Sequence, residues 1–205
     1  MTRRGRLAFL FGLVPAIVAF TPAVALAHEN EVIRLGSLLG GFLHPVLGLD
    51  HFLAMVSVGV VSAMVGGRAI WTVPGLFVLM MGVGGLLGRV DVGLGSTAVE
   101  IGIALSVVLL GIVIVLDKRL PVRIVMVAVI FFGFFHGYAH GVEIPTVARP
   151  ATYAAGFLIG TAIIHLLGVL IGEIAKRYSS GRLVLRIASS GFVILGGVFL
   201  LGAIA

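Results

Sequence analysis

The chain has 205 residues, 60% of them hydrophobic and 11% charged, with a mean hydropathy of +1.25 and a formal net charge of +6. A soluble domain carries about 25% charged residues, so this composition excludes a water-solvated globule and makes the bilayer the solvent. The basic residues are scattered between apolar stretches and form no block, which argues against nucleic-acid binding, and the absence of cysteine excludes disulfides, Fe–S clusters and thiolate metal sites.

Residues 1–27 read as a secretory signal peptide. Arg3, Arg4 and Arg6 form a basic head, Leu7 to Phe20 an apolar core, and Ala25-Leu26-Ala27 a small-x-small cleavage site. An uncleaved first membrane helix is the plainer alternative. Cleavage would make His28 the first residue, and its free amine and imidazole can chelate a divalent metal with Glu29 and Glu31 adding oxygens. An ordinary polar linker accounts for the same residues.

Beyond the signal, residues 28–205 form one predicted six-helix transmembrane domain. Apolar stretches place the spans at about 36–66, 69–88, 94–116, 121–141, 150–174 and 183–204. With the mature N-terminus outside, the inner loops hold Arg68, Lys118, Arg119, Arg123, Lys176, Arg177, Arg182 and Arg186, and the outer segments only Arg34, Arg89 and Arg149. That bias satisfies the positive-inside rule. It predicts a multi-pass protein of a bacterial inner membrane with both mature termini periplasmic. The fold class is all-α.

The first span is too long. As one helix it would reach about 46 Å, against a hydrocarbon core of about 30 Å. Pro45 lies within it, lacks an N–H and would clash with the Gly41 carbonyl, and His44 is disfavoured from helical angles by the proline that follows. The span is therefore expected to be kinked or broken at Pro45. Broken helices in transporters free backbone carbonyls for ions, whereas an ordinary proline kink is re-satisfied by its neighbours. Asp50 and His51 follow near mid-membrane, where ionisable groups are costly and usually line a pathway or bind something. Met55 shares a helical face with His51 and offers a thioether, although such a methionine more often fills space.

Glu100 sits about two turns into the third span. The fourth carries His136, His140 and Glu143, two imidazoles four apart and a carboxylate three further on, a spacing by which one helix can offer three ligands to one ion. Its glycines, Gly133, Gly137 and Gly141, recur every four residues, as do Gly84 and Gly88, Gly156 and Gly160, and Gly168 and Gly172. Small residues at that spacing let membrane helices approach closely. His165 lies mid-way along the fifth span, and Glu173 near its inner end can pair with Lys176 or Arg177. The polar groups thus descend from Glu143, His140 and His136, past His44 and Glu100, to Asp50, His51 and His165, like a funnel open to the outside.

Imidazole and carboxylate together suit a borderline divalent metal. The runs H-P-x-x-G-x-D-H at 44–51 and F-x-x-x-H-G-x-A-H-G-x-E at 132–143 resemble the two signatures of the HupE/UreJ family, and the resemblance extends over the whole architecture. It implies a nickel permease, in some members a cobalt permease, of the kind that accompanies hydrogenase or urease genes, with metal roles for His44, Asp50, His51, His136, His140 and Glu143. The larger nickel–cobalt transporter family has its histidine five residues before the aspartate, one fewer than here. No Walker A run is present to couple ATP hydrolysis, so a secondary permease or facilitator is expected, with Ni2+ or Co2+ as cargo rather than as a cofactor. An alternative is a membrane haem subunit using these histidines as axial ligands, which leaves Asp50, Glu100 and Glu143 without a task. A hydrolase is disfavoured by the lack of H-E-x-x-H and G-x-S-x-G, so no enzyme activity is expected. The expected partners are a divalent metal ion and the lipid bilayer; no motif sets an oligomeric state.

Overall fold

The computed structural model describes residues 36–205, so the expected signal peptide, its cleavage site and His28 lie outside the described residues. Within them, every regular element is an α-helix: α1 (Ser37–Leu47), α2 (Leu49–Val65), α3 (Ala69–Arg89), α4 (Ser96–Leu116), α5 (Val122–Glu143), α6 (Pro150–Arg177) and α7 (Gly181–Ile204). Helices satisfy their backbone polar groups internally, as a bilayer requires. Each of α3 to α7 is long and apolar enough to cross a membrane, and α1 and α2 pass that test as a pair bent by 79°. The protein is an all-α polytopic membrane protein.

The first span is broken, but three residues later than the proline rule suggests. Pro45 is buried inside α1, His44 is helical, and the chain turns at Gly48, which adopts extended angles (φ −77°, ψ 106°). The helix tolerates the proline because its ring rests on the open face of Gly160 in α6. The Gly48 N–H still donates to the His44 carbonyl at 3.2 Å, and Phe52 N–H donates to the Gly48 carbonyl at 2.8 Å, so the ladder continues on both sides of the turn.

Glycine contacts decide how the helices are paired. On α6, Gly156 meets the backbone of Leu38 and Phe42, Gly160 meets Phe42 and Pro45, Gly168 meets Val56 and Gly59, and Gly172 meets Val60 and Ala63. Both halves of the broken span advance along one continuous helix in the same sense. The pair is therefore a single interrupted crossing and not a hairpin that returns to its own side. α3 and α5 are also parallel: Gly133 lies against Phe77, Gly137 against Met81, and Gly141 against Gly85 and Arg89. α4 and α7 run antiparallel, with Gly111 on Ser189 and Val193 and Gly196 on Val107 and Val108. Six alternating crossings satisfy all three pairings.

Loop contacts place the two ends. At the end carrying most of the basic residues, Arg182 pairs with Asp117 at 3.6 Å, Arg186 Nε donates to the Val115 carbonyl at 2.8 Å, and Lys176 pairs with Glu173 at 2.7 Å. At the other end, Arg149 N–H donates to Ser37 Oγ at 2.9 Å, joining the starts of α6 and α1. Large apolar side chains such as Trp71, Leu79 and Ile194 are exposed around the bundle, which is how a lipid-facing surface reads.

Candidate metal centre

Helix α5 brings His140 and Glu143 to the break in the first span. His44 Nε2 lies 3.4 Å and His140 Nδ1 3.6 Å from Glu143 Oε2, and one ligand atom from each of the three side chains falls within 4.8 Å of the other two. Ligands bonded at about 2.1 Å to one ion stand about 3–4 Å apart, so the trio is a slightly open form of such a shell. His136 belongs to a different neighbourhood from the one its helical spacing suggests. It lies two turns back from Glu143, and its ring sits 4.8 Å from that of His51, which in turn is 4.2 Å from that of His140. The rings of His44 and His140 are 4.6 Å apart. Four imidazoles thus form a continuous contact chain from the rim into the bundle, His44–His140–His51–His136.

Hydrogen bonds set the tautomers along this chain. Asp50 Oδ1 accepts from the His51 backbone N–H and lies 2.8 Å from His51 Nδ1. An ionised carboxylate can only accept, so in the neutral ring Nδ1 carries the proton and His51 Nε2 presents a lone pair. That nitrogen has no partner among the described residues. In the same way, Ser106 Oγ spends its one proton on the Ile103 carbonyl at 2.6 Å, so His136 Nε2 must be the donor in its 3.3 Å contact with Ser106. His136 Nδ1 is then the free acceptor, and it too is unpartnered. Holding the second ring nitrogen is how proteins orient metal-binding histidines. His51, His136 and His140 are all buried. Such polar atoms usually find hydrogen bonds, and each one left unmade costs about 1–3 kcal/mol.

A cavity of about 800 Å3 adjoins the cluster, lined by Asp50, His51, Asp91, Glu100, Tyr138 and Glu143 among others, with no lysine or arginine in its wall. Carboxylates around a low-dielectric cleft concentrate cations. Tyr138 braces this wall: its hydroxyl donates to Asp91 at 2.8 Å and accepts from Leu94 N–H at 3.3 Å, tying α5 to the loop after α3.

The other sequence candidates separate. Glu100 is exposed on the cavity wall. Met55 is fully buried in the apolar core with Val58, Phe77 and Phe157. His165 lies deeper than the four-ring chain, against Phe77. Sequence reasoning passes over Ser106, Phe77 and Asp91. Ser106 is a lone hydroxyl in an otherwise apolar stretch, and only its packing against α5 gives it a role; Asp91 lies in the loop after α3, and only its bond from Tyr138 ties it to the cavity wall.

The family model for HupE / UreJ protein matches residues 16–200. Protein HupE of Rhizobium leguminosarum bv. viciae is 38% identical over 179 residues, which cover 87% of this chain and 92% of that protein. No solved structure matches.

Proposed function

The chain belongs to the HupE/UreJ family, which is associated with nickel or cobalt uptake and with hydrogenase or urease maturation, and from that premise we propose that it is a secondary permease for a divalent transition metal, Ni2+ first and Co2+ second. It takes the ion from the periplasm across the inner membrane as one six-helix domain, with both mature termini outside and no catalytic step. The carrying observation is the chain of four contacting imidazoles, two of them with lone pairs fixed by Asp50 and Ser106, beside a carboxylate-lined cavity. The carboxylates draw the cation in. His44, His140 and Glu143 bind it at the rim, and His51 and His136 receive it next, each exchange replacing one ligand by another of the same chemistry. Nitrogen and carboxylate oxygen suit Ni2+ and Co2+. Because imidazoles must be unprotonated to bind, entry of the ion is linked to proton release. Outside the described residues, His28 would act as an earlier capture ligand once cleavage frees its amine. The rings touch one another, leaving no slot the thickness of a porphyrin between them, which disfavours haem ligation.

The test is uptake of radiolabelled nickel and cobalt by cells lacking their own importers. Wild-type protein is expected to restore uptake, and Asp50→Asn and His51→Ala to abolish it at unchanged membrane abundance. Normal uptake by both variants would refute the assigned route.

A further inference from the structure

Below the four-ring chain lies one further histidine. His165, on the α6 face toward α2, is fully buried, and neither ring nitrogen has a hydrogen-bond partner among the described residues. Thr161, one helical turn earlier on the same face, is also fully buried with its hydroxyl unpartnered. The His165 carbonyl meets Gly59 of α2. A neutral imidazole has one N–H and one lone pair to satisfy. Leaving both idle beside an idle hydroxyl is an expensive way to fill space, when leucine or valine would pack there at no polar cost. The Phe77 ring contacts both this group and the outer chain at steep angles: its centroid is 5.5 Å from His136 and 5.0 Å from His165. At 1.5 Å per residue, His165 is about 22 Å from the outer start of α6 and about 16 Å from Lys176 at its inner end.

We infer that His165 is a second, inner ligand position for the transported divalent cation, with Thr161 as an auxiliary oxygen donor and Phe77 as the apolar partition between it and the outer cluster. This rests on the permease reading and extends it to the inner half of the route. The two positions differ in charge. The outer one has Asp50 and Glu143 at hand, whereas the inner one has neutral donors only. A dication is accordingly held more weakly inside, and conduction needs binding favourable enough to enter and weak enough to leave. The Gly168 and Gly172 stripe continues from His165 along the same face of α6, and Gly172 lines a small pocket at the basic end beside Lys176 and Arg182.

The experiment compares wild-type protein, His165→Ala and His165→Gln, purified and reconstituted in liposomes, by equilibrium binding of radiolabelled Ni2+ and by initial uptake rate at saturating Ni2+. The glutamine variant keeps a polar side chain of similar size but no imidazole nitrogen, so it separates ligation from packing. The expected result is an unchanged dissociation constant at the outer cluster with a fall of about tenfold or more in maximal uptake for both variants. Uptake by His165→Gln within about twofold of wild type would overturn the inference, as would loss of outer binding together with transport in that variant, which marks His165 as structural. Wild-type liposomes that take up neither nickel nor cobalt would overturn the permease reading itself, a result separate from either variant outcome.

Discussion

Substituting Gly137→Ala tests whether the glycine spacing of α5 sets the position of the histidines. A Cβ built at Gly137 meets the Met81 carbonyl oxygen and comes within 2.6 Å of Met81 Cα and 2.7 Å of its carbonyl carbon, where ordinary contact begins near 3.4 Å. All three neighbours are backbone, so none can swing aside. α3 and α5 must therefore part by about 1 Å, and overpacking of this kind costs about 1–3 kcal/mol. His136 and His140 flank the substituted residue and travel with α5, shifting against His51 and His44 on the broken span. The matched control is Gly82→Ala on α3, where an added Cβ meets nothing within 4 Å. Thermal unfolding of the detergent-purified variants, followed by size-exclusion chromatography, should show Gly137→Ala lower by about 2–10 °C and Gly82→Ala unchanged or slightly raised, since alanine is the better helix former. Nickel uptake should fall only in the first. If Gly137→Ala melts with wild type, the close approach of α3 and α5 is wrong, and with it the placement of the rings.

Two further outcomes are expected. His44→Ala and His140→Ala should each raise the half-saturating nickel concentration, and the double variant should cost less than the two singles together, because ligands of one ion are not independent; fully additive losses in transport assays would mean separate sites. A reporter fused after Ala205 should be active only if it works outside the cytoplasm, and one inserted between Lys176 and Arg182 should behave as cytoplasmic; the reverse pattern in whole cells would turn the route around.

The number, order and approximate limits of the spans are legible in the sequence because each is a local property of apolar runs bounded by charge. The predicted span at 94–116 is α4 at Ser96–Leu116, and 150–174 is α6 at Pro150–Arg177. The break is legible only in part. Pro45 removes a donor and predicts distortion, yet whether a helix bends at its proline or absorbs it depends on what faces the ring. Here Gly160 of α6 leaves room for it, and the turn moves to Gly48. That information lies more than a hundred residues away. The same limit applies to the glycine stripes: the four-residue spacing announces close packing, but it does not say that α5 meets α3 or that α6 meets both halves of the first span.

That the candidate residues lie on the first and fourth spans is legible in the sequence, and how they group in space is not. Helical spacing puts His136, His140 and Glu143 on one element, and the natural guess is a single three-ligand set. Packing divides them, because α5 passes both halves of a span that turns through 79°. Glu143 and His140 meet His44 before the turn, and His136 meets His51 after it. The break therefore matters for where side chains meet. It lets one helix present its histidines at two depths to two differently oriented partners, with His51 in ring contact with His140 above and His136 below. On the permease reading proposed above, an ion held by His44, His140 and Glu143 would gain the unpartnered His51 nitrogen before giving up the first histidine. A straight first helix would separate His44 and His51 by seven residues, about 10 Å of rise, too far for overlapping ligand sets. If the turn at Gly48 is what allows the handover, Gly48→Ala should be tolerated, since its φ of −77° suits any residue and an added Cβ meets only ordinary contacts at 3.4 Å or more. Gly48→Pro should slow uptake more than it weakens nickel binding. Proline would remove the N–H that closes α1 on the His44 carbonyl, loosening the angle between the halves while leaving every ligand in the chain. Equal losses in binding and uptake would show that the turn serves the rim site alone.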